Sequence, residues 1–425
     1  DVRACGCPSE RATPIFPMLS SFTMRCADFF LLGLLASVAA SCDSEMDCSL
    51  NGLCTRGVCQ CDGPWSGLDC SQLRFKPALI SSCGKACAYH AMDKRNTSWG
   101  GSVIRGGDGR FYMAAAEMAG GCTLDSWTTN SQVAIAVADR PEGPYAKQQV
   151  AVPPWSHNPQ MVRATDGTYL IFTLGDGTPS PHGGFKHCGG SARGQDISET
   201  SASASSRSGG AEDVPMENKT VGFTIHYSSS PGGPWSVWRT TVPDFRGVDN
   251  MDNWNPAPVV MPDGRVRVMA HTDPSPWAGE VILEARHWKG PYTRITDDVQ
   301  SYCTRCQEDP FMWVDRRGNW HALLHKMFDP SGGSPVPSPG WPGGHIFSKD
   351  GLTWSEMRRA YSTNVTLESG EVLVLLRRER PKLILDEQGV PTHLTNGAIM
   401  PDGETYTIVQ PLDLGLEGSS GTFYA

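Results

Sequence analysis

"EDPFMWVDRRGNWHALLHKM", Glu308 to Met327, sets two acids and a proline before an apolar run, then a polar turn, then a second apolar run. The phrase returns as "HNPQMVRATDGTYLIF" from His157, "NPAPVVMPDGRVRVMAH" from Asn255 and "RRERPKLILDEQGVPTHLTNG" from Arg377. Each copy runs polar residue, proline, strand-like segment, turn and second strand. A fifth hairpin, "SVIRGGDGRFYMAAAEM", starts at Ser102. Asp108-Gly109, Asp166-Gly167, Asp263-Gly264 and Arg317-Gly318 supply turns, because tight hairpins need residues that accept positive φ.

A third strand-like run follows each hairpin, and several close on Gly-Pro-aromatic, as in "AIAVADRPEGPY", "TIHYSSSPGGPWSVW" and "VILEARHWKGPYTRI". No long window carries helical periodicity; short β-rich runs broken by Gly, Pro, Asn and Asp predict an all-β fold. A repeat of about fifty to eighty residues matches propeller blades, and the count is five. A β-sandwich is the competing fold, but it would not repeat a polar-proline phrase at one strand end. The expectation is a five-bladed β-propeller over residues 73–425, with the segment 73–91 able to add a closing strand. A Ser/Gly/Ala-rich insertion at about 190–217 reads as a disordered loop in blade two.

The chain of 425 residues has a net charge of −9 and no basic run, which argues against nucleic acid as a partner. "MRCADFFLLGLLASVAAS" from Met24 reads as a secretory signal, with Arg25 before an apolar core and small residues around Ala40. Residues 1–40 are therefore a leader and signal peptide, and the mature chain is secreted. No run is long enough for a transmembrane helix. Twelve of the fifteen cysteines follow Ala40, an even number suited to an oxidising compartment. Sequons at Asn96, Asn218 and Asn364 fit a glycoprotein.

Six cysteines, Cys42, Cys48, Cys54, Cys59, Cys61 and Cys70, crowd residues 41–72. So short a segment needs cross-links to fold, and spacing alone leaves fifteen pairings. A zinc site competes weakly, since no histidine lies within the cluster. The run Cys48-Ser-Leu-Asn-Gly, then Cys59-x-Cys61, then Gly63-x-Trp65-x-Gly67-x-x-Cys70 resembles a tenascin-type EGF-like repeat. The resemblance implies Cys42 with Cys54, Cys48 with Cys59 and Cys61 with Cys70, and a module that contacts other extracellular proteins or acts as a spacer. Cys303-x-x-Cys306 reads as a disulfide, while the pairing of Cys83, Cys87, Cys122 and Cys188 is left open.

In a propeller, equivalent ends of the inner strands converge on one mouth of the central channel. Trp99, His157, Asn158, Asn253, Asn255, Glu308, Asp309, Arg378, Glu379 and Arg380 should meet there, a set of amides, acids, arginines and an aromatic that suits a sugar. Simpler roles compete: turn caps for Asn or Asp before proline, an ion-pair node for Glu379, core hydrogen bonds for His271 and His325. "FSKDGLTW" from Phe347 resembles a sialidase Asp-box turn, which is structural.

The phrases at His157, Asn255, Glu308 and Arg377 resemble the five-bladed arabinanase, levansucrase and invertase superfamily, above all secreted family 43-like glycoside hydrolases. Typical members open blade one with an Asp-Pro base, where this chain has "NTSWGGSV". The resemblance implies catalytic carboxylates among Glu308, Asp309 and Glu379. Substrate contacts are expected from Trp99, Glu117, His157, Asn158, Asn255, His271, His325, Arg378 and Arg380. No cofactor and no metal are called for. On an extended segment Glu308 and Asp309 should point in opposite directions, as should Glu379 against Arg378 and Arg380. Glu308, raised in pKa, is the expected acid, and Glu379, kept ionised by any arginine that approaches it, the base or nucleophile. The alternative function is non-catalytic glycan binding or adhesion in the extracellular matrix or at the cell surface.

Overall fold

The computed structural model describes residues 41–80, 87–89, 97–179, 183–188, 223–240, 242, 255–272, 279–296, 299, 307–327 and 342–415. Each sequence phrase opens an antiparallel sheet whose strands neighbour one another in chain order, so the expected five blades are present. Blade one holds Ser98–Arg105, Phe111–Met118, Ser131–Ala138 and Ala146–Val152. Blade two holds His157–Arg163, Tyr169–Leu174, Thr224–Ser228 and Ser236–Arg239; blade three holds Ala257–Val260, Val266–Thr272, Gly279–Ala285 and Thr293–Arg294. Blade four holds Gln307–Val314, Trp320–Lys326, Gly343–Ser348 and Arg358–Tyr361, and blade five Arg377–Leu385, Pro391–Ile399 and Thr405–Pro411.

The fourth strand follows the phrase at which sequence periodicity stopped. Gly143-Pro144-Tyr145, Gly233-Pro234-Trp235 and Gly290-Pro291-Tyr292 are the turns into it. Its apolar signal is faint because it lies outermost, and Ala146–Val152 alternates exposed and half-buried residues up to the buried Val152. Blade five is completed from the other end of the propeller: Tyr89 pairs with Thr407 and Phe75 with Leu412. Early residues thus bond to the last blade, which closes the ring without leaving blade five's outer edge bare.

Apolar side chains fill the seams between blades. Leu170, Phe172, Phe223 and Ile225 of blade two meet Val266, Val268, Val281 and Leu283 of blade three. Blade one, tightly enclosed, uses Ala114, Ala115, Ala116, Ala134 and Ala136, all fully buried.

The N-terminal module is bonded Cys42–Cys54, Cys48–Cys59 and Cys61–Cys70, the pairing the EGF-like resemblance implies. It does not stand apart as a spacer, since Ala39–Ala425 forms one compact unit. Trp65 stacks on Trp313 at 6.3 Å and packs at a tilt against His345 at 4.8 Å. Cys42, Cys48, Trp65, Cys70 and Leu73 share one core with Phe311 and Leu323 of blade four and Leu383 and Leu394 of blade five. Arg317 reaches Asp62 at 2.6 Å, and Arg358 donates to Ser49 Oγ at 2.9 Å.

Cys122 is bonded to Cys188, and Cys87 is also in a disulfide. The leader, Cys83, Cys303, Cys306, Asn96, Asn218, Asn253 and the blade-two insertion lie outside the described residues. Asn364 lies in a small extra hairpin, Asn364–Thr366 with Val372–Val374, between blades four and five. The Asp-box-like turn at Asp350 lies at the opposite end of blade four from Glu308, because Ser348 pairs with Trp320 whereas Glu308 pairs with His325.

Candidate active site

The residue before each proline is not extended. Asn158 (φ 49°), Asn255 (φ 35°), Asp309 (φ 56°) and Arg380 (φ 53°) all adopt left-handed backbone, and blade one places Gly100 (φ 72°) at the matching point. Pairing registers slip there in blades one, two, four and five, as expected for an extra residue in each inner strand. Such bulges re-aim side chains. Left-handed backbone costs a non-glycine residue about 1–3 kcal/mol, so its recurrence in four blades requires compensating contacts.

Those contacts form a ring across the channel. Asn158 Nδ2 donates to Asn255 Oδ1 at 2.7 Å and to Asp309 Oδ1 at 3.2 Å. Arg380 Nη1 meets Asp309 Oδ1 at 2.8 Å and Asn255 Oδ1 at 3.4 Å. Blade one contributes space: a Cβ on Gly100 would stand 3.0 Å from Arg380 Cβ.

The bulge overturns the expected alternation. Glu308 and Asp309 do not part to opposite faces; both approach one imidazole, His325 Nδ1 lying 3.2 Å from Glu308 Oε1 and 4.0 Å from Asp309 Oδ2. His325 Nε2 lies 3.6 Å from Glu379 Oε1. One atom from each of Glu308, Asp309, His325 and Glu379 falls within 4.8 Å of all the others, so these four are the residues that could hold a cation.

The arginines also divide differently. Arg378 turns away, between the Phe75 and Tyr361 rings, and donates to Asn396 Oδ1 and Gln410 Oε1 at 3.0 Å each. Arg380 does not point away but enters the ring. Arg377, which sequence reasoning had not placed in the site, grips both oxygens of Glu379, Nη2 at 2.8 Å from Oε2. Its guanidinium covers Trp99 at 5.3 Å, and Gly397 backs the same indole, so Trp99 presents no open face to a sugar. The signal that could have found Arg377 is its i, i+2 spacing from Glu379, which places both on one strand face.

Glu117 is spent within the fold, accepting from Tyr89 Oη at 2.5 Å, Gln132 Nε2 at 2.7 Å and Lys147 Nζ at 2.5 Å. His271 pairs with Glu280 at 3.2 Å. His157 shares a hydrogen bond with Ser131 Oγ at 2.6 Å beside Trp127.

Charge follows from these partners. Burial would raise Glu308, but the hydrogen bond and charge of His325 and the charge of Arg380 hold it below the usual carboxylate range. Asp309 goes the other way: burial lifts it, Glu308 and Glu379 add, and Arg380 and His325 only partly oppose. The raised carboxyl is therefore Asp309 and not Glu308, which corrects the expected assignment. His325 is disfavoured as a cation by burial, yet Glu379, Glu308 and Asp309 outweigh that and raise it. His157, buried and facing the charge of Arg380, is held neutral.

Several buried polar atoms here lack a hydrogen-bond partner among the described residues: His157 Nε2, Asn255 Nδ2, Asp309 Oδ2, His325 Nε2 and Arg380 Nε. Orphaned polar atoms cost about 1–3 kcal/mol each, so their gathering at one channel end calls for a polar ligand or water. A cleft of about 230 Å³ lies at the other end of blade four, lined by Trp65, Trp313, Asp315 and Arg317 where the module meets the propeller.

No protein-family model and no curated protein matches the chain. Among solved structures, a family 117 glycoside hydrolase produced by the marine bacterium Zobellia galactanivorans is similar at 12% identity, over 84% of this chain and 96% of that one, with a TM-score of 0.50. A protein of unknown function from Dyadobacter fermentans is similar at 13% identity over 77% and 97%, TM-score 0.49. An exo-β-1,3-galactanase from Phanerochaete chrysosporium follows at 11% identity over 81% and 64%, TM-score 0.44. At such identity the first of these likenesses is one of fold.

Proposed function

We propose that the chain is a secreted glycoside hydrolase acting on a neutral glycan, with Glu308, His325 and Glu379 as its reacting groups and an EGF-like repeat as its N-terminal module. The observation that carries this reading is the meeting of three carboxylates on one imidazole beside a set of unpartnered polar atoms. Glycosidic cleavage needs a proton for the leaving oxygen and a carboxylate for the anomeric carbon. Glu308 keeps 16% of its side chain exposed, more than Asp309 or Glu379, and so, although ionised at rest, is the carboxylate placed to relay a proton to a leaving group. Its proton comes from His325, whose cation the cluster favours. Glu379 attacks the sugar as the bond to the leaving oxygen breaks, and water later releases the glycosyl group. Oxygens of Glu308 and Glu379 stand within 4.8 Å, less than the about 6.5–9.5 Å that admits a water between two carboxylates. The arrangement therefore favours retention of configuration. Asn255 and His157 offer free polar atoms to sugar hydroxyls.

The second reading, non-catalytic glycan binding, is favoured by one observation: Arg377 occupies both oxygens of Glu379, and the matching place in blade one is Trp99-Gly100, without a carboxylate. A glycan array followed by hydrolysis assays on every bound glycan separates the two. Cleavage that Glu308→Gln abolishes supports the hydrolase; binding without cleavage by the wild type leaves the lectin-like reading.

A further inference from the structure

The small hairpin between blades four and five has two unlike faces. Its register sets Asn364 opposite Val374, Val365 opposite Leu373 and Thr366 opposite Val372. Residues directly opposed across strands share a face, and neighbours along a strand alternate. Val365 and Leu375 point inward, into a core with Leu367, Met400, Tyr406 and Ile408. The outer face then carries Asn364 and Thr366 beside Val372, Val374 and Leu376, which are 51%, 56% and 56% exposed. No other stretch of the described residues shows three large aliphatics in such an alternating row. Single exposed aliphatics are ordinary, whereas a contiguous stripe on a fixed platform marks a surface that something covers.

We propose that Asn364 carries an N-linked glycan whose first sugars lie along the Val372, Val374 and Leu376 stripe. Asn364-Val365-Thr366 is an acceptor sequon, and its two required side chains stand on the exposed face. Among the described residues the Asn364 side-chain amide has no hydrogen-bond partner, so its nitrogen is free to react. Its backbone is held, with its amide donating to Ser362 Oγ at 3.3 Å and its carbonyl accepting from Arg378 Nη1 at 3.3 Å. A glycan grown from this point starts directly opposite Val374, and the C–H faces of pyranose rings are apolar enough to take aliphatic surface out of water. Other occupants, a partner strand or a second copy, would have to displace a side chain built for modification. The donor is an oligosaccharide on a polyprenyl diphosphate: Asn364 Nδ2 bonds to the sugar's C1, the C1–O bond to phosphate breaks, the lipid diphosphate leaves and the amide loses a proton.

The inference rests on the secreted reading, and the experiment keeps the two apart. The full chain is expressed in a eukaryotic host behind a heterologous secretory leader, so that it meets the transfer machinery whether or not its own leader works; export by its own leader is scored separately. Peptide mapping after enzymatic glycan removal should find the Asn364 amide converted to a carboxylate in most molecules, and an untouched amide in secreted protein overturns the proposal. For the covering role, retention on a hydrophobic column is compared for wild type, Asn364→Gln and a control Asn96→Gln. Loss of the Asn364 glycan should lengthen retention, Asn96→Gln should not, and adding Val372→Thr, Val374→Thr and Leu376→Thr should abolish the difference. Equal retention of Asn364→Gln and wild type overturns the contact with the stripe.

Discussion

Arg380 of blade five crosses the channel to meet Asp309 of blade four at 2.8 Å, through space that blade one leaves open by having no side chain at Gly100. Asp309 is fully buried, so the pair is the charge balance of the polar ring. Removing one partner of a buried pair costs about 3–5 kcal/mol, because the other charge is stranded. Arg380→Met should show that loss in urea denaturation, and Asp309→Asn added to it should recover most of it. A loss under 1 kcal/mol, or no recovery, would mean that the pair contributes little.

Gly100→Ala should destabilise by about 1–3 kcal/mol, since φ 72° is unfavourable for any side chain and the new methyl meets Arg380. Displacing Arg380 should also weaken whatever glycan the mouth binds. A fully stable Gly100→Ala protein would show that the ring tolerates the crowding.

Glu308→Gln, Glu379→Gln and His325→Gln should each lower turnover by about 10²-fold or more, with glycan affinity much less affected, as removal of a proton-transfer group or of the nucleophile does. Wild-type rates in the Glu308 and Glu379 variants together would sink the assignment. Anomeric analysis of early product by NMR should show retained configuration; inversion would require a water between carboxylates farther apart than these.

The pH dependence has a definite sign. His325 is raised, so its proton, and the stability it confers, is fully present below the ordinary histidine value of about 6.5 and is lost as pH rises through the raised value. Asp309 is raised too, so the folded state holds a proton the unfolded chain has released, and stability again falls as pH climbs past about 4. Glu308 is lowered and works oppositely, its contribution disappearing only in strong acid. Activity should therefore fall on the alkaline side, and His325→Gln should remove or displace that limb. An unchanged alkaline limb in His325→Gln would exclude His325 as the proton source.

The module should melt with the propeller. Trp65→Ala removes an indole lodged against Trp313 and His345, and such truncations cost about 3–5 kcal/mol. Calorimetry should show one transition for wild type and a lower one for the variant. Two separate transitions would mean that the module folds independently.

Sequence alone determined the blade count, because proline, hairpin turn and apolar run recur as a local pattern that needs no distant partner to be read. It also directed attention to Glu308, Asp309, Glu379, His157 and Asn255, since equivalent strand ends must converge in any propeller. It could not say which way those side chains turn. That depended on Asp309 and Arg380 adopting left-handed backbone, and a local period of two assumes the chain is extended. That period does hold from Arg377 to Glu379, which share a face while Arg378 turns away, and it fails at Arg380 and Asp309. Only the tertiary structure could settle this, because the left-handed bulges are held by contacts between blades: Asn158 with Asn255, and Arg380 with Asp309 over Gly100. The charge of each acid was decided there as well, since an ion's neighbours across the channel are remote in the chain, and it is they, with burial, that fix where its proton rests.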